Sequence, residues 1–177
     1  MPADIFHWTA FAAPVALMTA MALAVRHDLV KHRIPNLLSF GTLAAGLLLA
    51  AGTQGLAGLG SALEGAAIGL ACMMPLYLVR GMGAGDVKLM AAAGAFLGPF
   101  NAFLAAMLTL AAGAMLGVAV LAWRILELRG NSGALASGPV LAQMRKERFP
   151  YAAAIAVGVI TTLWLRGLLQ PLAGSLE

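Results

Sequence analysis

The stretch Gly81-Met82-Gly83-Ala84-Gly85-Asp86-Val87-Lys88-Leu89-Met90 sets one acid and one lysine inside a chain that is otherwise apolar and rich in small residues. An ionisable side chain in such surroundings is costly to keep and reads as functional by default. The three glycines interrupt regular helix ahead of Asp86 and let a second chain approach the backbone closely. Taken alone, the segment also reads as a plain turn, with Asp86 capping the helix that follows, since helix caps favour Asp.

The rest of the composition fixes the setting in which that acid must work. Of 177 residues, 62% are hydrophobic and only 10% charged, and the mean hydropathy is +0.91. Such a chain is too apolar for an ordinary soluble domain and reads as an all-α, polytopic membrane helix bundle. With 21 glycines and many alanines, its helices can approach through small faces. The net charge of +4 does not point to nucleic acid, because the basic residues flank apolar runs instead of forming one face. A single cysteine, Cys72, excludes an internal disulfide and a four-cysteine metal site.

Apolar runs divide the chain into about six spans in a single domain covering 1–177. The first runs from Ile5 to Val25, and with Asp4 ahead of it and no basic residue before it, it reads as a retained helix and not a cleaved signal. A basic loop over 26–36 follows, in which Pro35 starts or bends the next helix. The second run, Leu37 to Ala51, ends in the uncharged turn Gly52-Thr53-Gln54-Gly55. The third extends from about Leu56 to Val79 and carries Glu64, which a continuous helix sets far from Asp86. Val87 to Leu97, closed by Gly98-Pro99, is too short to cross alone. That leaves irregular backbone at membrane depth, where only protein or a water-filled cavity can surround it. Phe100 to Ala122 and Tyr151 to about Leu165 complete the set, with a polar loop between them over 124–150. Arg26, Lys31 and Arg33 lie in the first loop, Arg80 and Lys88 near the second (80–88), and Arg124, Arg129, Arg145, Lys146 and Arg148 in the third, leaving only Arg166 opposite. The asymmetry predicts that these three loops are cytoplasmic and both termini outside.

A second acid sits at the same predicted boundary. In Arg26-His27-Asp28-Leu29-Val30-Lys31-His32-Arg33-Ile34-Pro35-Asn36, Asp28 read by itself is a solvated loop charge. Paired with Asp86 it is more, because two close carboxylates sharing one proton are the apparatus of aspartic proteolysis. The run from Asp28 to Ile34-Pro35-Asn36, the Gly83-Ala84-Gly85-Asp86 followed by Val87-Lys88-Leu89, and the later Phe149-Pro150-Tyr151 resemble the type IV prepilin peptidases, a family of intramembrane-type aspartic proteases. The similarity extends over roughly residues 10–165, and the short chain is similar to the small forms that serve tight-adherence (Flp) pili. Larger members carry an added cytoplasmic segment with paired cysteines and also methylate the new N-terminus, so methylation is not implied here.

The resemblance implies catalytic residues Asp28 and Asp86, a prepilin whose basic leader is cut just before an apolar helix, and an active site on the cytoplasmic face of the bacterial inner membrane. No cofactor or metal is expected, and His27 and His32 lack a ligand partner. One carboxylate takes the proton of the attacking water while the other, neutral, stabilises the oxyanion, and the proton belongs to the pair. Gly83 and Gly85, with Pro35 and Asn36, read as supporting backbone. Lys88 is a candidate for substrate contact or for tuning the acids, set against a lysine that merely snorkels to headgroups. The expected partners are a prepilin and membrane lipids, with no nucleic acid and an open oligomeric state. Three other readings remain at this stage: a small proton- or cation-coupled transporter using both acids, a noncatalytic pilus or secretion assembly subunit, and another Gly-x-Gly-Asp protease such as a preflagellin peptidase.

Overall fold

The computed structural model describes residues 3–31, 35–130 and 151–173, and the regular structure among them is entirely α-helical. In chain order the helices are α1 (Ala3–Lys31), α2 (Asn36–Leu78), α3 (Ala84–Leu97), α4 (Pro99–Gly130) and α5 (Tyr151–Ala173). Of the loop expected over 124–150, residues 124–130 are helix, because α4 continues without a breaker to Gly130, and residues 131–150 lie outside the described residues.

At 43 residues α2 is long, but it is not one rod. Gly55 takes φ 64° and ψ −144°, a backbone state essentially confined to glycine. The chain folds back there: a Cβ on Gly58 would collide with the Ala50 carbonyl and stand 2.6 Å from Gln54 Cβ, whereas eight residues of straight helix span about 12 Å. The four-residue turn expected at Gly52–Gly55 is therefore a one-residue reversal. Just before it, Thr53 returns its hydroxyl to the Leu49 carbonyl at 2.9 Å, a local bond that favours bending of the helix. With α2 counted as two limbs, the described residues contain six helical segments, one for each apolar run.

The core is built on α3, whose residues from Asp86 to Leu97 are buried except Lys88 and Phe96. A helix apolar on all sides belongs inside a bundle, and small residues let its neighbours come close. Gly65 on the second limb of α2 meets the backbone of Gly94 and Gly98, Gly69 meets Met90, and Gly46 on the first limb meets Ala95 and Phe96. The second limb thus runs antiparallel to α3 and the first parallel to it. Gly98, at φ 75°, ends α3 and also starts α4, with Pro99 at the first helical position. α5 returns along α4, bringing Gly158 against Thr109 and Ala105, and Tyr151 against Gly113.

α1 contributes the buried stripe Leu17, Met21 and Ala24 to this core. The sequence predicts that this helix yields to a loop at Arg26, yet α1 continues to Lys31. Asp28 extends the stripe at helical spacing, and no breaker intervenes before Pro35. Outside the core, large apolar residues such as Leu37, Leu48, Leu56, Phe100 and Trp164 are exposed. Such a surface suits a lipid environment better than water. By length and composition Ala13–Val30, Asn36–Leu78 and Pro99–Val120 suffice to cross a membrane, and Tyr151–Gly167 is a shorter apolar helix. At 14 residues α3 is about 21 Å long, too short for a hydrocarbon layer of about 30 Å.

Candidate active site

The turn that delivers Asp86 is fixed at both ends. α2 closes with the Gly81 N–H on the Leu76 carbonyl at 2.8 Å and the Arg80 N–H on the Tyr77 carbonyl at 2.9 Å, the nested pair of a Schellman ending. Its left-handed residue, ordinarily glycine, is Arg80 at φ 60°. Asp86 then occupies the third position of α3 and is only 8% exposed. Its Oδ2 accepts the Gly83 N–H at 3.1 Å, one of the donors that a helix N-terminus leaves unpaired. The break that the glycines predict ahead of Asp86 lies between Leu78 and Ala84, but it does not reach the acid. Instead Ala84 and Gly85 are helical, because the carboxylate itself caps the first turn and the positive end of the helix favours an anion there.

Gly83 has an ordinary extended backbone, φ −83° and ψ 153°, so a left-handed conformation is not what its glycine serves. A Cβ at Gly83 would stand 3.2 Å from the Asp86 Oδ2. The requirement at this position is room for the carboxylate.

Asp28 lies three residues before the end of α1, half-buried, and its Oδ2 is buried without a hydrogen-bond partner among the described residues. An acid there gains nothing from the helix, whose C-terminal end is negative. The two acids share one end of the bundle. Lys88 Nζ donates to Asn36 Oδ1 at 3.1 Å and stands 5.3 Å from the centre of the Phe40 ring, which ties the start of α3 to the start of α2. Only residues 32–35 connect α1 to α2, so the last turn of α1 is at that level too. Pro35 caps α2 through its carbonyl, which accepts the Leu38 N–H at 3.0 Å. Asn36, expected to act through its backbone, instead uses its side chain to hold Lys88.

Tyr151 joins the same end at the start of α5, packed against Gly113, which lies about as far along α4 from the Gly98 junction as Asp86 does along α3. Tyr151 belongs to the motif Phe149-Pro150-Tyr151 but not to the residues that the resemblance implies for the site. A phenol opening the last apolar run was the available signal. Phe149 and Pro150 of that motif, and His32, lie outside the described residues. Glu64 is exposed, and its neighbour Gly65 meets Gly94 and Gly98. It therefore sits about 12 Å or more along α3 from Asp86, as the sequence predicts. A cavity of about 750 Å³ opens near that far end, with Thr53, Gln54, Ser61, Phe96 and Arg166 among its walls, and neither Asp28 nor Asp86 lines it.

Comparison with curated proteins and with solved structures found no match. The profile of the type IV leader peptidase family, in contrast, matches residues 15–118, a stretch that carries both Asp28 and Asp86. Since the match takes in well over half of the 177 residues, the chain belongs to the type IV leader peptidase family.

Proposed function

We propose that this membrane peptidase is of the aspartic type, with Asp28 and Asp86 as its catalytic pair, and that it removes the short basic leader of Flp-like type IV prepilins. The observation that carries the reading is the buried Oδ2 of Asp28, without a hydrogen-bond partner among the described residues, at the same end of the bundle as the buried Asp86. A buried oxygen without a donor costs about 1–3 kcal/mol, a cost that a solvated loop charge does not bear. One carboxylate, ionised, takes a proton from the attacking water as its oxygen bonds to the scissile carbonyl carbon. The other, protonated, donates to the developing oxyanion, and the departing amine takes up a proton as the C–N bond breaks. Each acid is held differently: Asp86 by the Gly83 N–H and the N-terminus of α3, Asp28 by the packed stripe of α1.

The bias of Lys and Arg toward the acid-bearing end supports a site on the cytoplasmic face of the inner membrane, where a basic leader emerges ahead of a membrane-embedded helix. Leader removal alone is assigned, without methylation. Co-expression of the chain with an Flp-type prepilin tests this reading. Appearance of the shortened pilin is the expected result, and an unprocessed prepilin beside correctly inserted enzyme would contradict it.

A further inference from the structure

Ser39 is 2% exposed, and its Oγ is buried without a hydrogen-bond partner among the described residues. Its neighbours in kind behave otherwise. Each buried threonine returns its hydroxyl to the carbonyl one turn back: Thr42 to Leu38 at 2.7 Å, Thr109 to Ala105 at 2.7 Å and Thr162 to Gly158 at 2.8 Å. That local bond is the usual refuge of a helical hydroxyl in an apolar bundle. Ser39 does not take it, although the Pro35 carbonyl stands one turn back and accepts the Ser39 N–H at 3.3 Å.

The other buried side-chain atom left without a partner among the described residues is Asp28 Oδ2. The two sit at one level of the bundle. Asp28 lies three residues before the end of α1 and Ser39 three residues after the start of α2, on either side of a four-residue connection. Asn36, one turn before Ser39, is already tied to Lys88, two residues beyond Asp86. One orphan is a donor and the other an acceptor, so each supplies what the other lacks.

We propose that Ser39 is a positioning residue of the peptidase site, whose hydroxyl donates toward the Asp28 carboxylate in the working enzyme. This rests on the aspartic reading above. The water that hydrolysis consumes can accept from Ser39 and donate to Asp28 Oδ2 at once, which would place its oxygen for attack. Ser39 exchanges no proton with substrate. It fixes where the acid and its water stand.

The test uses the full-length chain in detergent with a purified Flp-type prepilin, comparing Ser39→Ala, Ser39→Thr and Ser39→Val with Asp28→Asn and Asp86→Asn. Ser39→Ala should lower kcat about tenfold with KM nearly unchanged, while its thermal midpoint stays equal or rises, because a buried hydroxyl without a partner among the described residues has been removed. Thr and Val share one shape, so Ser39→Thr should process prepilin well and Ser39→Val poorly. Equal activity of the Thr and Val variants, or a fall in thermal midpoint that accounts for the loss in Ser39→Ala, would overturn the role of Ser39 while leaving the acid pair intact. Cleavage undiminished in the Asp variants, or absent in the parent enzyme, would overturn both.

Discussion

Lys88 and Asn36, 52 residues apart in sequence, meet through a 3.1 Å hydrogen bond between the ammonium and the amide oxygen. The contact joins the helix that carries Asp86 to the helix that follows Asp28, so it bears on how the two acids are held relative to one another. The Phe40 ring beneath the ammonium adds a cation–π contact at 5.3 Å.

Lys88→Met keeps the apolar stem over Phe40 but removes the donor, and Asn36→Ala removes the acceptor. In prepilin cleavage the double variant should lose no more than the worse single variant, since either change breaks the same tie. The stability change should be small, about 1 kcal/mol or less, because the pair is exposed. A double-mutant cycle in cleavage rate checks this, and strictly additive losses would separate the two residues.

Gly83→Ala should impair cleavage while leaving the fold in place. Its Cβ would stand 3.2 Å from the Asp86 Oδ2, so the carboxylate must move by a few tenths of an ångström. Displacements well under 1 Å from the productive geometry already matter to a catalytic constellation. Cleavage rate and thermal midpoint measured on the same preparation distinguish a displaced acid from a damaged helix.

Packing predicts opposite outcomes for two other glycines. Gly65→Val should destabilise by about 2–3 kcal/mol, since any Cβ there runs into the Gly94 and Gly98 backbone. Gly41→Ala meets nothing within 4 Å and should be neutral or stabilising by about 0.5–1 kcal/mol through helix propensity. Thermal unfolding in detergent orders them.

Two positive-φ positions should respond in opposite senses. Arg80→Gly relieves a left-handed arginine in the Schellman turn and should stabilise by about 1 kcal/mol. Gly55→Ala places a side chain at φ 64°, ψ −144° and should cost about 1–3 kcal/mol. Equal stability of all three chains would mean that neither turn carries the strain assigned to it.

The architecture was legible because apolar runs and small residues announce a helix bundle, and Gly98-Pro99 marks a helix junction by its chemistry. Boundaries were less legible where charge and burial disagree. Arg26 to Lys31 looks like a loop by its charges, yet it stays helical because Asp28 falls on the stripe of Leu17, Met21 and Ala24. The reversal at Gly55 looks like a four-residue turn, but one glycine conformation makes it. At the site, both acids were named from motif spacing. Ser39 is not legible, since a serine in an apolar run carries no pattern of its own, and Tyr151 stands in the motif Phe149-Pro150-Tyr151 without a role that the motif states. Their placement depends on which helix faces lie together, a tertiary fact.

The central claim is that Asp28 and Asp86 perform the hydrolysis together, and leader removal by the Asp28→Asn and Asp86→Asn variants tests it most directly, with Glu64→Gln as the control acid. An amide of nearly the same shape neither ionises nor passes on a proton. Each Asp variant should therefore lose cleavage while still inserting and folding, and Glu64→Gln, exposed and distant along α3, should keep most of it. Undiminished processing by either Asp variant, or loss of processing in Glu64→Gln, would contradict the account.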